Sequence, residues 1–291
     1  MTDKLIDEEA ERLYQPSKWS LRFPTSEEVL DNHMKIIREE SESSRTEVLC
    51  ELNVAYGLKP RQKVDIYGAY RLPPDAPVLV LIHGGYWQML GKDEWALGVR
   101  SFFRHGIVTI VPDYTLAPKA TMDEIVEEIR AAGRFIKNWM TLRGSTHLHL
   151  LGHSAGAHLL AMLLASECFQ IPCHAWHLSG VFDLRPLLRT TVNSPLNMDM
   201  SCAERNSPLL HVQGMVKHNP STIHHVIVAE NDSPSFREQS LEFYHALKKT
   251  EAVETDFSLL PQLDHFDIVE NFQHEDFCLT QQIIQKTATR K

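Results

Sequence analysis

The sequence predicts an α/β fold, in which a mostly parallel central sheet is covered by helices on both faces. Two observations lead to this prediction. From Lys63 onward, short apolar runs alternate with helical patterns, as expected of repeated strand–helix–strand units around a buried parallel sheet. In addition, 43% of the 291 residues are hydrophobic and 23% are charged, an ordinary balance for a globular protein. Open sheets of this length commonly share one core, so residues 1–291 are predicted to form a single domain.

Apolar runs mark the candidate strands of this sheet. They occupy residues 78–82, 107–111, 147–151, 175–178, 223–229 and 255–260. Between the second and the third run, Thr121 and Glu124 form a capping box, and apolar residues then recur at helical spacing as far as Trp139. Residues 157–164 are apolar nearly all round, which indicates a helix buried against the centre of the sheet.

Two segments depart from this alternation of strands and helices. Residues 1–50 are polar and charged and form an N-terminal extension. It contains one predicted helix that begins at Thr25 and carries Val29, Leu30, Met34 and Ile37 on one face. Residues 184–218 are rich in proline and asparagine and are predicted to be a loop-rich insertion or a short lid.

Charge and composition exclude several classes of protein. The net charge is -9 without any basic run, which argues against nucleic acid or an anionic membrane as a partner. No segment approaches the roughly 18 apolar residues of a membrane span, and the charged N-terminus does not resemble a secretory signal. Five cysteines without a C-x-x-C pair indicate reduced thiols and hence the cytosol. A homodimer is expected only because it is the commonest assembly of soluble proteins.

The 16 histidines do not indicate a metal site. Neither the H-E-x-x-H motif nor a cysteine and histidine spacing typical of zinc ligands occurs in the chain. We therefore expect most of these histidines to be packed or solvated side chains and predict no bound metal.

The motif that carries chemistry is Gly152-His153-Ser154-Ala155-Gly156, a G-x-S-x-G between a predicted strand and a predicted helix. A turn tight enough to expose a serine hydroxyl leaves room only for small residues around it. In this context Ser154 is predicted to be the nucleophile of an α/β-hydrolase, although the same motif also occurs in ordinary glycine-bounded turns.

A serine nucleophile requires donors for the oxyanion that forms when it attacks. His83-Gly84-Gly85 follows the strand at residues 78–82, where two glycines allow backbone N–H groups to point into the site. The N–H groups of Gly84 or Gly85, together with that of Ala155, are the predicted oxyanion hole. A simple turn at the strand end is the alternative for the two glycines.

The serine also requires a base and an acid that orients it. His265 follows the last predicted strand and is the candidate base, whereas His274 lies in a polar stretch. Asp232 follows the strand at residues 223–229 and is the preferred acid, since the order serine, aspartate, histidine is typical of this fold. Asp183 also follows a strand and is the rival candidate.

At this point the sequence resembles the kynurenine formamidases, also called arylformamidases, over most of the chain from about residue 10. The segments that carry the resemblance are His83-Gly84-Gly85-Tyr86-Trp87, Gly152 to His158, Ser179 to Leu184, Asp264 to Glu270, and shorter matches at residues 63–67, 206–208, 232–234 and 242–244. The two glycine motifs are shared with the hormone-sensitive-lipase-like esterases. The residues Tyr86 and Trp87 and the His265-Phe266-Asp267-Ile268-Val269-Glu270 ending favour the formamidases.

The resemblance implies hydrolysis of N-formyl-L-kynurenine to L-kynurenine and formate, in tryptophan catabolism, in the cytosol and without a cofactor. It implies the same catalytic residues, Ser154, Asp232 and His265, and Tyr86 and Trp87 are candidates to pack against the aromatic ring of the substrate or to anchor their loop. Two other functions remain open. A small-molecule carboxylesterase would use the same residues, and a non-catalytic ligand-binding protein would keep only the fold.

The two candidate acids are separable by substitution. Asp232→Asn is expected to impair turnover severely, on the order of 10⁴-fold, because the amide no longer orients the base, whereas Asp183→Asn is expected to leave turnover nearly unchanged. Steady-state kinetics of the two purified variants test this, and the opposite pattern would make Asp183 the acid.

Overall fold

The computed structural model describes residues 6–288, and its centre is an eight-stranded sheet. The strands are β1 Cys50–Ala55, β2 Lys63–Tyr67, β3 Val78–Ile82, β4 Val108–Pro112, β5 Leu148–His153, β6 His174–Leu178, β7 Ile223–Ala229 and β8 Thr255–Leu260. They lie in the order β1-β2-β4-β3-β5-β6-β7-β8. Pairing is antiparallel between β1 and β2 and between β2 and β4, and parallel from β4 to β8. The predicted fold class is confirmed.

The helices lie on both sides of this sheet. They are α1 Glu8–Leu13, α2 Ser26–Glu47, α3 Val99–Arg104, α4 Met122–Arg143, α5 Ala155–Leu164, α6 Asn193–Leu196, α7 Met200–Arg205, α8 Val212–His218, α9 Pro234–Lys248, α10 Asp267–Glu270 and α11 Cys278–Ala288. Thr25 and Thr121 cap α2 and α4 through capping boxes with Glu28 and Glu124, as the sequence predicts.

Each face of the sheet has its own hydrophobic core. On one face, Ile125 of α4, Leu160 of α5 and Phe243 of α9 pack against the strands. On the other face, Ile37 of α2, Phe102 of α3 and many other buried side chains form the second core. Burial of each such large side chain stabilises the fold by about 1.5–3 kcal/mol. The double layer explains why β3 and β5 are buried along their whole length.

The sequence prediction misses the first two strands. β1 is exposed along most of its length, and Glu51 and Asn53 interrupt its apolar residues, so it lacks the run that marks the inner strands. In β2 the apolar run is broken by Asp65, which is nevertheless fully buried, because it accepts hydrogen bonds from Lys92 and from the backbone N–H of Asn53. Both strands belong to the antiparallel edge, which local apolar patterns identify poorly.

The insertion at residues 184–218 contains more regular structure than predicted. Besides α6, α7 and α8 it contains the 3₁₀ turns Arg185–Arg189 and Pro208–His211. Each of these elements is short, since Pro186, Asn197 and Pro208 lie at or near their ends. Within residues 6–288, no helix is long and apolar enough to cross a membrane.

The contact between α5 and β3 allows a test of this architecture. A Cβ atom at Gly156 would lie 2.1 Å from the carbonyl oxygen of Ile82 and 2.7 Å from that of His83. Gly156→Ala is therefore expected to lower the free energy of unfolding by about 3 kcal/mol, because the strand backbone cannot move aside. Urea unfolding measures this change.

Gly214→Ala is the matched control, since the nearest atom to its added Cβ is the carbonyl oxygen of Ala165 at 3.7 Å. Within α8 this change is expected to stabilise the protein by up to about 1 kcal/mol. Equal destabilisation by both variants would contradict the proposed close approach of α5 to β3.

Candidate active site

Ser154 lies in the turn between β5 and α5, in a backbone conformation that is unusual for a residue with a side chain. Its φ is 56° and its ψ is -120°. The turn is possible because Gly152 and Gly156 approach each other closely, and a Cβ at Gly152 would lie 2.3 Å from the carbonyl oxygen of Gly156. The N–H of Ser154 donates to the carbonyl oxygen of Leu178 at 2.9 Å, which ties the turn to β6. Strain of this kind is typical of a catalytic serine.

The structure brings His265 and Asp232 together. His265 Nδ1 lies 2.7 Å from Asp232 Oδ2, and both residues are almost completely buried. The carboxylate can only accept, so Nδ1–H is the donor and Nε2 carries the lone pair of a base. The N–H of Ser233 donates to the other oxygen of Asp232 at 2.7 Å, and the ring of Phe236 packs edge-on against His265.

Asp183 does not take part in this arrangement. Its carboxylate accepts from Arg185 at 2.6 Å and caps the turn that leads into the insertion. Its backbone oxygen accepts from Gln239 of α9. These contacts give Asp183 a structural role, and of the two candidate acids Asp232 is the one that contacts His265.

Ser154 and His265 line the same cavity, which has a volume of about 870 Å³. This volume lies within the usual range for small-molecule sites. The cavity lies at the carboxyl ends of the parallel strands, where ligands bind in open α/β sheets. Apolar side chains, among them Leu30, Met34 and Phe266, form a large part of its wall.

The predicted oxyanion donors surround Ser154. Gly84 approaches so closely that a Cβ there would lie 3.2 Å from the Cβ of Ser154, and Gly85 has a φ of 91°. Ala155 is the first residue of α5, where a helix leaves its N–H groups unpaired. Within residues 6–288, the N–H groups of Gly84, Gly85 and Ala155 have no acceptor from the chain. These three donors are therefore available to a bound oxyanion.

Tyr86 and Trp87 have different surroundings. Tyr86 lines the cavity, and its hydroxyl donates to the carbonyl oxygen of Tyr14 at 2.6 Å. Trp87 is 0% exposed and donates through Nε1 to His158 Nδ1 at 3.2 Å inside the core. Trp87 therefore anchors its loop, and of the two predicted ring contacts only that of Tyr86 is compatible with this packing.

The N-terminal extension forms part of the cavity wall, which the sequence does not indicate. Tyr14 from the loop after α1 and Leu30, His33 and Met34 from α2 line the cavity. The apolar face predicted for α2 thus supplies Leu30 and Met34 to the site. The insertion contributes Val192. No local pattern marks these residues as functional, because their role depends on segments far away in the chain.

His153, the residue before Ser154, contacts the backbone of His265. Its Nε2 lies 2.7 Å from the carbonyl oxygen of His265, and the two rings are 4.6 Å apart. Burial lowers the pKa of His153 well below its usual value, with a further contribution from the nearby His265. The ring is therefore neutral and donates through Nε2–H. The sequence contains His153 within the motif but does not indicate this contact.

Buried ion pairs tie the extension to the loop that carries His265. Arg22 donates to Asp264 at 2.8 Å and to Glu270 at 2.7 Å, and Ser20 also donates to Asp264. Both carboxylates are about 2% exposed, so the guanidinium is needed to offset their desolvation. Because Asp264 directly precedes His265, this cluster restrains the position of the candidate base.

The two aspartates of this loop differ in protonation. Burial by itself raises the pKa of Asp264, but the hydrogen bonds from Arg22 and Ser20 outweigh burial and hold that pKa below its usual value. For Asp267, burial and the charge of Asp264 raise the pKa. Asp264 therefore carries the negative charge that pairs with Arg22.

The fold and the site together define an enzyme with the α/β-hydrolase fold. The kynurenine formamidase of Salmo salar is 36% identical to this chain, over 96% of this chain and 95% of that protein. The kynurenine formamidase of Drosophila melanogaster is 31% identical, over 91% and 93%. The chain belongs to the kynurenine formamidase family, and the resemblance found in the sequence is confirmed. It is a hydrolase that acts on a small molecule.

Two further comparisons agree with this fold. The family described as BD-FAE matches residues 64–175. Among solved structures, esterase B from Lactobacillus rhamnosis with a tributyrin phosphonate inhibitor has a TM-score of 0.70 at 18% identity, and the match covers 96% of this chain and 94% of that chain. At this identity the likeness shows the fold alone.

The Arg22 cluster yields a testable consequence. Arg22→Gln is expected to lower the free energy of unfolding by about 3 kcal/mol, because two buried carboxylates lose the guanidinium that offsets their charge. Turnover should fall as well, since the loop that bears His265 is released. Chemical denaturation and steady-state kinetics measure both effects.

Arg134→Gln is the control, because its pair with Glu127 is exposed and contributes about 0–1 kcal/mol. If Arg22→Gln were as stable and active as Arg134→Gln, the cluster would not hold the base.

Proposed function

We propose that this protein hydrolyses N-formyl-L-kynurenine to L-kynurenine and formate, with Ser154 as nucleophile, His265 as base and Asp232 as the acid that orients it. The observation that carries the proposal is that Ser154 and His265 line one cavity, with His265 bound to Asp232, in a chain whose relatives over nearly the full length are named kynurenine formamidases. The 2.7 Å bond to Asp232 supports the assignment of His265 as base.

The first half of the reaction acylates the enzyme. Ser154 Oγ attacks the formyl carbon while its proton passes to His265 Nε2. The carbonyl oxygen becomes an oxyanion, which accepts from the N–H groups at Gly84 or Gly85 and at Ala155. Each such donor contributes roughly 3–4 kcal/mol to the stability of the transition state. His265 then gives its proton to the aniline nitrogen as the C–N bond breaks, and L-kynurenine leaves.

The second half releases formate. A water molecule gives a proton to His265 Nε2 and attacks the formyl-serine ester, and the same oxyanion donors stabilise the second tetrahedral intermediate. When the bond to Ser154 Oγ breaks, the proton returns from His265 to the serine. Asp232 remains ionised throughout and stabilises the imidazolium. The side chains and backbone groups of this chain supply every proton transfer, so the proposed reaction requires no cofactor.

The whole chain works as one unit in this proposal. The extension and the insertion both contribute to the wall of the cavity that contains Ser154, so neither is an appendage to the catalytic domain. We place the reaction in the cytosol, because all five cysteines are free thiols and such thiols persist in a reducing compartment.

Substitution of the nucleophile tests the mechanism. Ser154→Ala is expected to reduce turnover of N-formyl-L-kynurenine by roughly 10⁴-fold or more, because no covalent intermediate can form. Formation of L-kynurenine is followed by its absorbance. Ser166→Ala, just beyond the C-terminal end of α5, is the control and should retain full activity.

A simple aryl acetate ester, assayed beside the formyl amide, distinguishes the formamidase from a carboxylesterase. Much more efficient hydrolysis of N-formyl-L-kynurenine, lost in Ser154→Ala, supports the formamidase. If only the ester is hydrolysed, the assignment of the catalytic residues stands and the assignment of the substrate is wrong. Full activity in Ser154→Ala would show that Ser154 is not the nucleophile.

A further inference from the structure

Most charged side chains around the cavity already have partners. Arg61 donates to Asp113 at 2.7 Å and also to the carbonyl oxygen of Leu90. Lys92 is buried and pairs with Asp65 at 3.1 Å. Such pairs are neutral as units and offer little net charge to a ligand.

Arg38 and Glu94 are different. Both line the cavity, Arg38 is exposed and Glu94 is half-buried. Within residues 6–288, neither side chain has an ion-pair partner, and the two do not pair with each other. An arginine and a glutamate on one cavity wall, each with its charge available, form a pattern that a ligand with two opposite charges would complement.

Side-chain contacts from α2 to the backbone of residues 93 and 96 bring Arg38 and Glu94 onto neighbouring elements. Ser41 and Ser44 bind the N–H and the carbonyl oxygen of Ala96, and Arg45 donates to the carbonyl oxygen of Asp93. Arg38 precedes Ser41 by three residues and therefore lies on the same face of the helix. This face of α2 thus runs along the 3₁₀ turn Lys92–Glu94, whose last residue is Glu94.

Lys63 also lines the cavity, but it belongs to a different wall. It lies on β2, where its carbonyl oxygen accepts from the N–H of Asp113. It is therefore on the side of the Arg61–Asp113 pair, whereas Arg38 lies on α2, the helix that contacts the backbone of Asp93 and Ala96 on either side of Glu94. Arg38 is thus the cation whose helix packs against the segment that contains Glu94.

We propose that Arg38 and Glu94 bind the zwitterionic α-amino acid end of the substrate, with the carboxylate on Arg38 and the ammonium group on Glu94. The proposal rests on the proposed function and names the residues that select this substrate class. The planar guanidinium matches a carboxylate with two hydrogen bonds, and the glutamate accepts from an ammonium group. A substrate without the amino acid end leaves both charges without a partner and therefore binds more weakly.

The test compares two substrates that share the reacting group. N-Formyl-L-kynurenine has the amino acid end, whereas formanilide has only the formylated aniline. KM and kcat are measured for both with the wild-type protein, Arg38→Gln, Glu94→Gln and the control Arg104→Gln, whose exposed pair with Glu275 lies outside the cavity. Inhibition of aryl ester hydrolysis by L-kynurenine is measured with the same four proteins.

For N-formyl-L-kynurenine, each of the two cavity variants is expected to raise KM about ten-fold and to leave kcat nearly unchanged, because a charge-assisted hydrogen bond away from the reacting atoms is lost. Formanilide kinetics should not change. The inhibition constant of L-kynurenine should rise about ten-fold as well. Arg104→Gln should match the wild type throughout.

An unchanged KM for N-formyl-L-kynurenine in both variants would overturn the proposal. An equal loss of kcat/KM with both substrates would overturn it as well, because that result indicates a structural role. If the wild-type protein hydrolyses formanilide or the ester but not N-formyl-L-kynurenine, the proposed function fails. In that case the inhibition constants of L-kynurenine alone decide the roles of Arg38 and Glu94, and constants that are equal in all four proteins would refute them.

Discussion

The tight turn at Ser154 is the constraint on which the site depends. The turn presents a serine with a positive φ between β5 and α5, and this geometry requires glycine at positions 152 and 156. Such strain persists only if the surrounding structure over-determines it. Here β5 is buried between two parallel neighbours, and α5 is buried along its whole length. The buried centre of the sheet therefore holds the strained turn that presents Ser154 to the cavity.

The partners of Ser154 are held less centrally. His265 follows β8, an edge strand, and its loop could move if it were fixed only by that strand. Three groups restrain it: Asp232 on one ring nitrogen, His153 on its backbone oxygen, and Arg22 on the adjacent Asp264. The N-terminal extension thus forms part of the cavity wall and also restrains the loop that contains His265.

Prediction from the sequence succeeded where neighbours in the chain decide the structure. The strands at residues 78–82, 223–229 and 255–260 have the predicted bounds, and the capping boxes begin their helices at Thr25 and Thr121. It failed for β1, whose residues are mostly exposed, and for β2, which contains the buried Asp65. The ring contact predicted for Trp87 is incompatible with its place in the core, since the sequence cannot distinguish a loop anchor from a wall of the site.

The sequence by itself determined the fold class, the position of the serine turn and the family resemblance, because small residues, apolar runs and caps act over short distances along the chain. Only the tertiary structure decided which aspartate meets His265, since Asp183 and Asp232 both follow parallel strands. It also decided that the extension lies over the site. These outcomes depend on contacts between segments that are distant in the chain, 33 residues apart for Asp232 and His265 and 242 for Arg22 and Asp264, which no local pattern encodes.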